Sequence, residues 1–227
     1  MKRAILMFGL IIIFWGGLGA IGTSDAASPM RIMMGVTPTV SSHYAYGVAA
    51  AKTINENVPG VNITAVETGG TPENLKRIHR GEFQMCLMSF PTAYAAYHGI
   101  FEYKNNAMSE LRELWAYCPS PITFVVREDS NVKTLYDLAG KRYNPSGKGT
   151  SSEKMTEQAF DALGVKPNWY RGGIDDALSA VKDRVIAGYT KVAAAHNLPD
   201  ATTLDLMTLT KIRVLSFSQA DIVGMIP

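Results

Sequence analysis

From residue 31 onward the chain alternates short apolar runs with stretches whose apolar residues recur at helical spacing. "RIMMGV" (31–36) has the length and character of a buried strand. A hydroxyl-rich loop, "TPTVSSHYAYG", follows. Tyr44, Val48, Ala51, Ile54 and Val58 then recur every three or four residues, which predicts a helix closed by Pro59-Gly60. "VNITAVET" (61–68) is β-branched and reads as a strand, and Gly69-Gly70 as a turn. Thr71 is the expected N-cap of a helix with Pro72 at its first position, Leu75 and Ile78 on its apolar side and Gly81 at its end. "FQMCLMSF" (83–90) predicts another buried strand, and "PTAYAAYHG" a short helix stopped by Gly99.

A more polar stretch (102–113) separates this series from a second one. "LWAYCPSPITFVVRED" is strand-forming but broken at Pro119 and Pro121, and prolines sit badly inside a central strand. The chain is therefore expected to change course there. A short helix over 134–139 and a strand over 141–144 come next. A helix over 151–163 follows, with Met155, Ala159 and Leu163 on one side, ending at Gly164. "NWYRG" leads into a helix with Ile174, Ala177, Leu178 and Val181 in register, and "VIAGYT" and "IRVLSF" complete the strands. Strand–helix alternation with short loops predicts mostly parallel sheets flanked by helices. The course change predicts two α/β lobes, 28–120 and 121–227, with a hinge near 119–127.

Composition changes this picture at the N-terminus. Lys2 and Arg3, the apolar "AILMFGLIIIFW" and the small-residue "GGLGAIGTSDAAS" follow the order of a signal peptide over 1–27, cleaved near Ala26 or Ala27. The apolar run approaches the lower limit for a spanning helix, but its glycines and small-residue exit favour cleavage and a periplasmic mature chain. The formal net charge of +2 leaves about +1 beyond residue 27, no basic field for nucleic acid. Cys86 and Cys118 enter an oxidising compartment. Their apolar, strand-like surroundings favour two buried thiols over a disulfide, whose Cα separation must fall in a narrow range.

The chemistry gathers where strands give way to helices. "NPSGKGTSSE" (144–153) invites comparison with a Walker A loop, but Gly149 stands where the Mg²⁺-binding Ser or Thr belongs, and Gly140 lies too far back. Thr150 and Glu153 instead carry the spacing of a capping box. Gly147 and Gly149 are expected to turn the backbone through unusual dihedrals. The N–H groups of 149–152 and the positive helix end could then hold a carboxylate or phosphate; the alternative is a well-capped turn and no more. Similar junctions recur in "TGGTPEN", in "MSFPTAY" at Ser89, and in "TPTVSSHY" at Ser41 and Ser42. In open α/β sheets ligands sit outside the carboxyl ends of strands, so a small-molecule cleft is expected.

The stretches "YAYGVAAAKTINENVPGVNITAVETGGTPENLKRIHRGEFQMCLMS", "PITFVVREDSNVKTLYDLAGKRYNPSGKGTSSE" and "DDALSAVKDRVIAGY", in this order, resemble the TAXI family, the TRAP-associated extracytoplasmic immunogenic solute receptors. The resemblance implies a two-lobed type II periplasmic-binding-protein fold that closes on a small solute. It implies delivery to a TRAP-type membrane permease, and a carboxylated solute such as glutamate, glutamine or a dicarboxylate. Matched positions place ligand contacts at Thr37, Ser42, Tyr44, Ser89, Gly149, Thr150, Ser151 and Tyr189. Lys148, in the same loop, is expected to add electrostatic attraction. The chain departs from the family in "GVTPTVSSHY", which is glycine-rich elsewhere, and in Met88-Ser89, where many members have Gln-Ser. It also ends at "FSQADIVGMIP", where the family continues with a returning strand and terminal helices, so a C-terminal part is expected to be missing.

Catalysis finds little support. His43, His79, His98 and His196 lack metal-ligand spacing, and no G-x-S-x-G elbow is present. No cofactor, no metal site and no enzyme activity are expected. A periplasmic sensing module for a signalling partner is the alternative, and a secreted hydrolase a more distant one. Arg127 could serve structure or a ligand carboxylate, with structure favoured; Arg171 and Lys148 compete for the ligand role.

Overall fold

The computed structural model describes residues 28–195 and 198–225. The expected signal peptide with its cleavage near Ala26 or Ala27, and His196, lie outside the described residues.

The first lobe is built on β1 (Met30–Gly35), β2 (Val61–Val66) and β3 (Met85–Cys86), which form a parallel sheet in the order β2-β1-β3. Helix α1 (Ser42–Asn57) starts where the Ser41 hydroxyl accepts from His43 N, and it packs Ala51 and Gly47 onto the sheet. Met34, Val36, Ala51 and Ile63 are the core of that contact. Asn55 stitches the helix to the edge strand, accepting from Ile63 N at 2.6 Å and donating to Ile63 O at 2.9 Å. Part of an otherwise open strand edge is thereby paired. Helices α2 (Thr71–His79) and α3 (Phe90–His98) share a second cluster of Leu75, Ala96 and Met108.

Two details differ from expectation. Helix α2 begins one residue earlier, with Gly70 as its cap. Thr71 is thus its first residue, and the Thr71 hydroxyl turns outward to accept from Ser89 N at 2.8 Å. The "FQMCLMSF" strand shrinks to two paired residues because Phe90 already belongs to α3.

Residues 111–121 form no regular element; β4 (Ile122–Arg127) starts just beyond Pro121. Pro119 and Pro121 thus lie in the irregular segment that connects the two sheets. The second lobe holds β5 (Arg142–Asn144), α4 (Ser151–Ala162), β6 (Asn168–Trp169), α5 (Ile174–Lys182), β7 (Gly188–Val192), α6 (Ala201–Leu209), β8 (Ile212–Leu215) and α7 (Gln219–Met225). Its sheet runs in the order β6-β5-β7-β4-β8. The expected parallel pairing holds for β5 with β6 and β7, whereas β4 is antiparallel to both β7 and β8. The 134–139 helix is one 3-10 turn, Tyr136–Leu138.

Alternate residues of β4 feed two cores. Phe124 and Val126 pack with Tyr143 and Phe160 on the α4 side, and Val125 packs with Tyr189, Val181 and Leu206 under α5 and α6. Helices therefore cover both faces, as a buried sheet requires. Gly188 allows β7 to approach β4 closely: a Cβ there would lie 2.0 Å from Val125 O. Arg127 is buried and donates to Ile186 O at 2.7 Å and to Asp129 at 2.8 Å, a structural role.

Candidate functional site

The strand ends of both lobes open onto one cleft of about 1650 Å³. From the first lobe come Thr37, Gly70 and Ser89 on loops and His43 at the start of α1, and the second lobe brings Ser146 to Lys148, Thr150 to Ser152 and Lys191. The N-termini of α1, α2, α3, α4 and α5 all reach this space, so their unpaired N–H groups and positive dipole ends converge there.

At the start of α4 the capping box forms in modified form. The Thr150 hydroxyl accepts from Glu153 N at 3.2 Å and lies 2.6 Å from Gly147 O, to which it donates. Glu153 reaches one residue further back than the standard box, accepting from Gly149 N at 2.6 Å. Gly149 has φ +81°, the conformation expected of it, while the other strained position is Ser146 at φ +126° rather than Gly147. Arg171 bridges Glu153 at 2.9 Å and Glu157 at 2.5 Å. The guanidinium therefore offsets the carboxylate that has entered the helix end. What remains open is the next pair of amides, at Ser151 and Ser152. The Ser151 hydroxyl is buried without a hydrogen-bond partner, in the wall of the cleft.

Across the cleft, α2 organises the loops that follow β1 and β3. Asn74 is fully buried and donates from Nδ2 to Val36 O at 2.8 Å and to Leu87 O at 2.9 Å. Thr68 adds a bond to Val36 O at 2.9 Å. This clasp presents Thr37, whose Oγ1 is buried and unpaired, and Ser89, which occupies the N-cap of α3 without using its hydroxyl there.

The residues expected to meet a ligand separate into two groups. Thr37, Ser89, Lys148, Thr150 and Ser151 all line the cleft, with Lys148 on its exposed rim. Ser42, Tyr44, Gly149 and Tyr189 do not line it. Tyr44 packs against the first-lobe core. Tyr189 is fully buried, bonded to Thr203 Oγ1 at 2.9 Å, and its hydroxyl is pushed well above its usual pKa by burial.

Two cleft residues escaped the sequence reading. Lys191 lies two residues beyond Tyr189 on β7, at the end where the strand meets the cleft. Its ammonium is buried, 2.8 Å from Asp200 Oδ1 and 2.5 Å from Thr202 Oγ1, which leaves one of its three donors for the cleft. A lysine inside an apolar strand run is the signal that could have found it. His43 lines the opposite wall, with its Nδ1 bonded to the Tyr117 hydroxyl. Burial, then the Lys191 ammonium, lowers its pKa, against a weaker upward pull from Asp200.

Cys86 and Cys118 are both unpaired and both line the cleft. Burial pushes the Cys86 thiol up to about 12, far from the thiolate state a nucleophile needs. Among the described residues no three His, Cys, Asp or Glu side chains are grouped to hold a metal, and no helix is long and apolar enough to cross a membrane.

The sequence model of the NMT1-like family matches residues 34–226. Solved structures that share the fold include the periplasmic aliphatic sulphonate binding protein SsuA of Escherichia coli, with a TM-score of 0.55 and 20% identity over 83% of this chain and 57% of that one. The alkanesulfonate-binding protein SsuA of Xanthomonas axonopodis pv. citri, bound to MOPS, has a TM-score of 0.55 and 19% identity over 84% of this chain and 62% of that one. The GluR0 ligand-binding core of Nostoc punctiforme, in complex with L-glutamate, has a TM-score of 0.53 and 11% identity over 84% and 80%. At these identities the likeness establishes the fold, a periplasmic-binding-protein-like α/β architecture. The chain spans 57% and 62% of the length of the two SsuA proteins.

Proposed function

The chain belongs to the NMT1-like family, and from that premise we propose that it is an extracytoplasmic receptor that captures a small acidic solute between its two lobes. The observation that carries this reading is the start of α4, where the unpaired Ser151 hydroxyl stands beside two free amides at a positive helix end, in the wall of the cleft. Thr37 and Ser89 face the same space from the first lobe, and Lys191 supplies a further donor. A carboxylate or sulfonate satisfies these donors at once; a neutral group satisfies fewer of them. The SsuA proteins and the GluR0 core, whose names or bound molecules are themselves acidic, make this class of solute the natural one to try first.

The lobes divide near residue 120, and the irregular segment 119–121 is the hinge about which they close; the rest of the expected 119–127 hinge is β4, fixed in the second sheet. Delivery to a TRAP-type membrane permease is the partner reading, resting on the TAXI-like stretches "ETGGTPENLKRIHRGEF" and "DLAGKR". The sequence over 1–27 is read as a leader that exports the mature chain to the periplasm.

A thermal-shift screen of the purified chain against organic acids, sulfonates and amino acids, each beside its neutral amide or ester, tests this. A solute at a hundred times its Kd stabilises by about 2.7 kcal/mol. For a chain of this size that is roughly 5–10 °C in Tm. At least one acid is expected to give such a shift while its neutral counterpart gives none. A screen in which neutral compounds shift Tm as much as the acids do removes the acidic-solute reading.

A further inference from the structure

His43 is the second residue of α1 and reaches the cleft wall with its ring half-buried. Its surroundings hold it in place. Tyr117 engages Nδ1, stacks on Tyr46 with ring centroids 4.0 Å apart, and Trp115 Nε1 donates to the Tyr46 hydroxyl at 2.7 Å. The irregular segment 111–121 is thus strapped across α1 by three aromatic side chains, and its contact with His43 fixes the imidazole. Among the described residues Nε2 has no partner.

The charged and titratable groups facing this ring are few. Tyr46 lies on its own helix and Tyr117 on the strap; burial raises the Tyr117 pKa, so its proton stays on oxygen. From the second lobe come Lys191 and Asp200. These two form an ion pair at 2.8 Å, so the wall opposite His43 is nearly neutral overall. Burial, then the Lys191 ammonium, disfavours a charged imidazole, and together they outweigh the opposing pull of Asp200. A neutral ring that accepts the Tyr117 hydroxyl proton at Nδ1 carries its own hydrogen on Nε2.

We propose that His43 is a solute-contacting residue that donates Nε2–H to the acid group, and that capture of an acidic solute draws a proton onto this imidazole. The inference rests on the reading of the cleft as an acid-binding site. An anion placed within a few ångströms favours the charged ring, as a neighbouring opposite charge does for any titratable group. The bound pKa then lies above the free one. The protonated receptor binds the anion more tightly, and that advantage disappears as pH rises through the bound pKa. The window runs from the free value, below the usual 6.5, up to the bound value. Each unit of separation corresponds to a tenfold change in affinity across it. A neutral solute produces no such linkage.

The test is calorimetric titration of the full chain with methanesulfonate and with L-glutamate, whose acid groups stay ionised between about pH 5.5 and 8. Buffers of different ionisation enthalpy count the protons taken up. Affinity is expected to weaken several-fold from the lower to the upper pH, with net proton uptake in between. His43→Gln keeps an N–H donor but cannot take up the proton, so its pH profile is expected to be flat. Nitrogen-15 spectra of the unliganded wild type, a readout that needs no variant, are expected to show the Nε2-protonated neutral tautomer. Binding with no pH dependence or proton uptake in the wild type overturns the proposal and leaves the acidic-solute reading intact. The same holds for an unchanged pH profile in His43→Gln, or for an Nδ1-protonated ring. If neither probe binds at any pH, both readings fall together.

Discussion

At Thr150 one hydroxyl serves two backbone groups, accepting from Glu153 N and donating to Gly147 O. Lys148, two residues earlier, projects from the exposed rim of the cleft. Losing a Thr cap costs about 1 kcal/mol, and a solvent-facing charge interaction is usually worth less than that. Thr150→Ala is therefore expected to lower Tm by roughly 2–4 °C and to weaken solute binding more than Lys148→Ala does, as melting curves and titrations of both variants will show. Equal effects would count against the cap. Asp200 has a different signature. Burial would raise its carboxyl, but hydrogen bonds from Lys191 and Thr202 prevail and hold its pKa below the usual value. A carboxylate depressed in the folded state adds stability above its unfolded pKa and loses it as pH falls through the folded one. Asp200→Asn leaves the buried Lys191 ammonium without its counter-charge, a loss of about 3 kcal/mol at neutral pH. In urea titrations the gap to wild type is expected to narrow only below the ordinary Asp range; a gap that is constant with pH would contradict the assignment.

Among the elements, β7 shows how tightly the second sheet is specified. Gly188 sits where any side chain would meet the β4 backbone, so Gly188→Ala is expected to destabilise the chain by more than about 3 kcal/mol, beyond ordinary overpacking. A urea midpoint close to wild type would show that the strands can separate at little cost. The start of α4 is legible in the sequence because capping chemistry is local: Thr150, Glu153 and Gly149 lie within five residues, and their spacing alone predicts the turn. The same locality explains α1 and the αL end of α3 at Gly99. Tyr189, expected in the cleft but buried beneath it, and Lys191, not expected there, are misjudged for the opposite reason. Which end of β7 meets the cleft goes with β4 running against its neighbours, a non-local pairing that strand spacing does not reveal. The arrival of Asp200 beside Lys191, or of Tyr117 beside His43, is likewise a tertiary event, the latter spanning 74 residues. Thr71 lies between these cases. Its hydroxyl has the right spacing to cap α2, but Ser89 N competes for it from a neighbouring strand end.

For the whole molecule, the fold places two lobes around the cleft, and Lys154 of α4 reaches across to Glu102 at 2.7 Å. Both side chains are partly exposed, so the pair is worth at most about 1 kcal/mol, a factor of roughly five in a closing equilibrium. Lys154→Ala is expected to widen the interlobe distance distribution measured by fluorescence transfer, and high salt to do the same to the wild type while leaving the variant unchanged. A variant as closed as the wild type would mean that the ion pair does not hold the lobes. In the proposed receptor, capture turns on an acid group gripped at the start of α4. Its most direct test is calorimetric titration of an acid that stabilises the chain, against wild type and Ser151→Ala, beside the neutral amide of that acid and Mg-ATP. A hydrogen bond to a charged group contributes about 1.5–3 kcal/mol. The acid is therefore expected to bind Ser151→Ala about tenfold or more weakly, with no measurable binding of the amide or the nucleotide. Equal affinity for acid and amide, an unaffected Ser151→Ala, or Mg-ATP binding that vanishes with Lys148→Ala would contradict it.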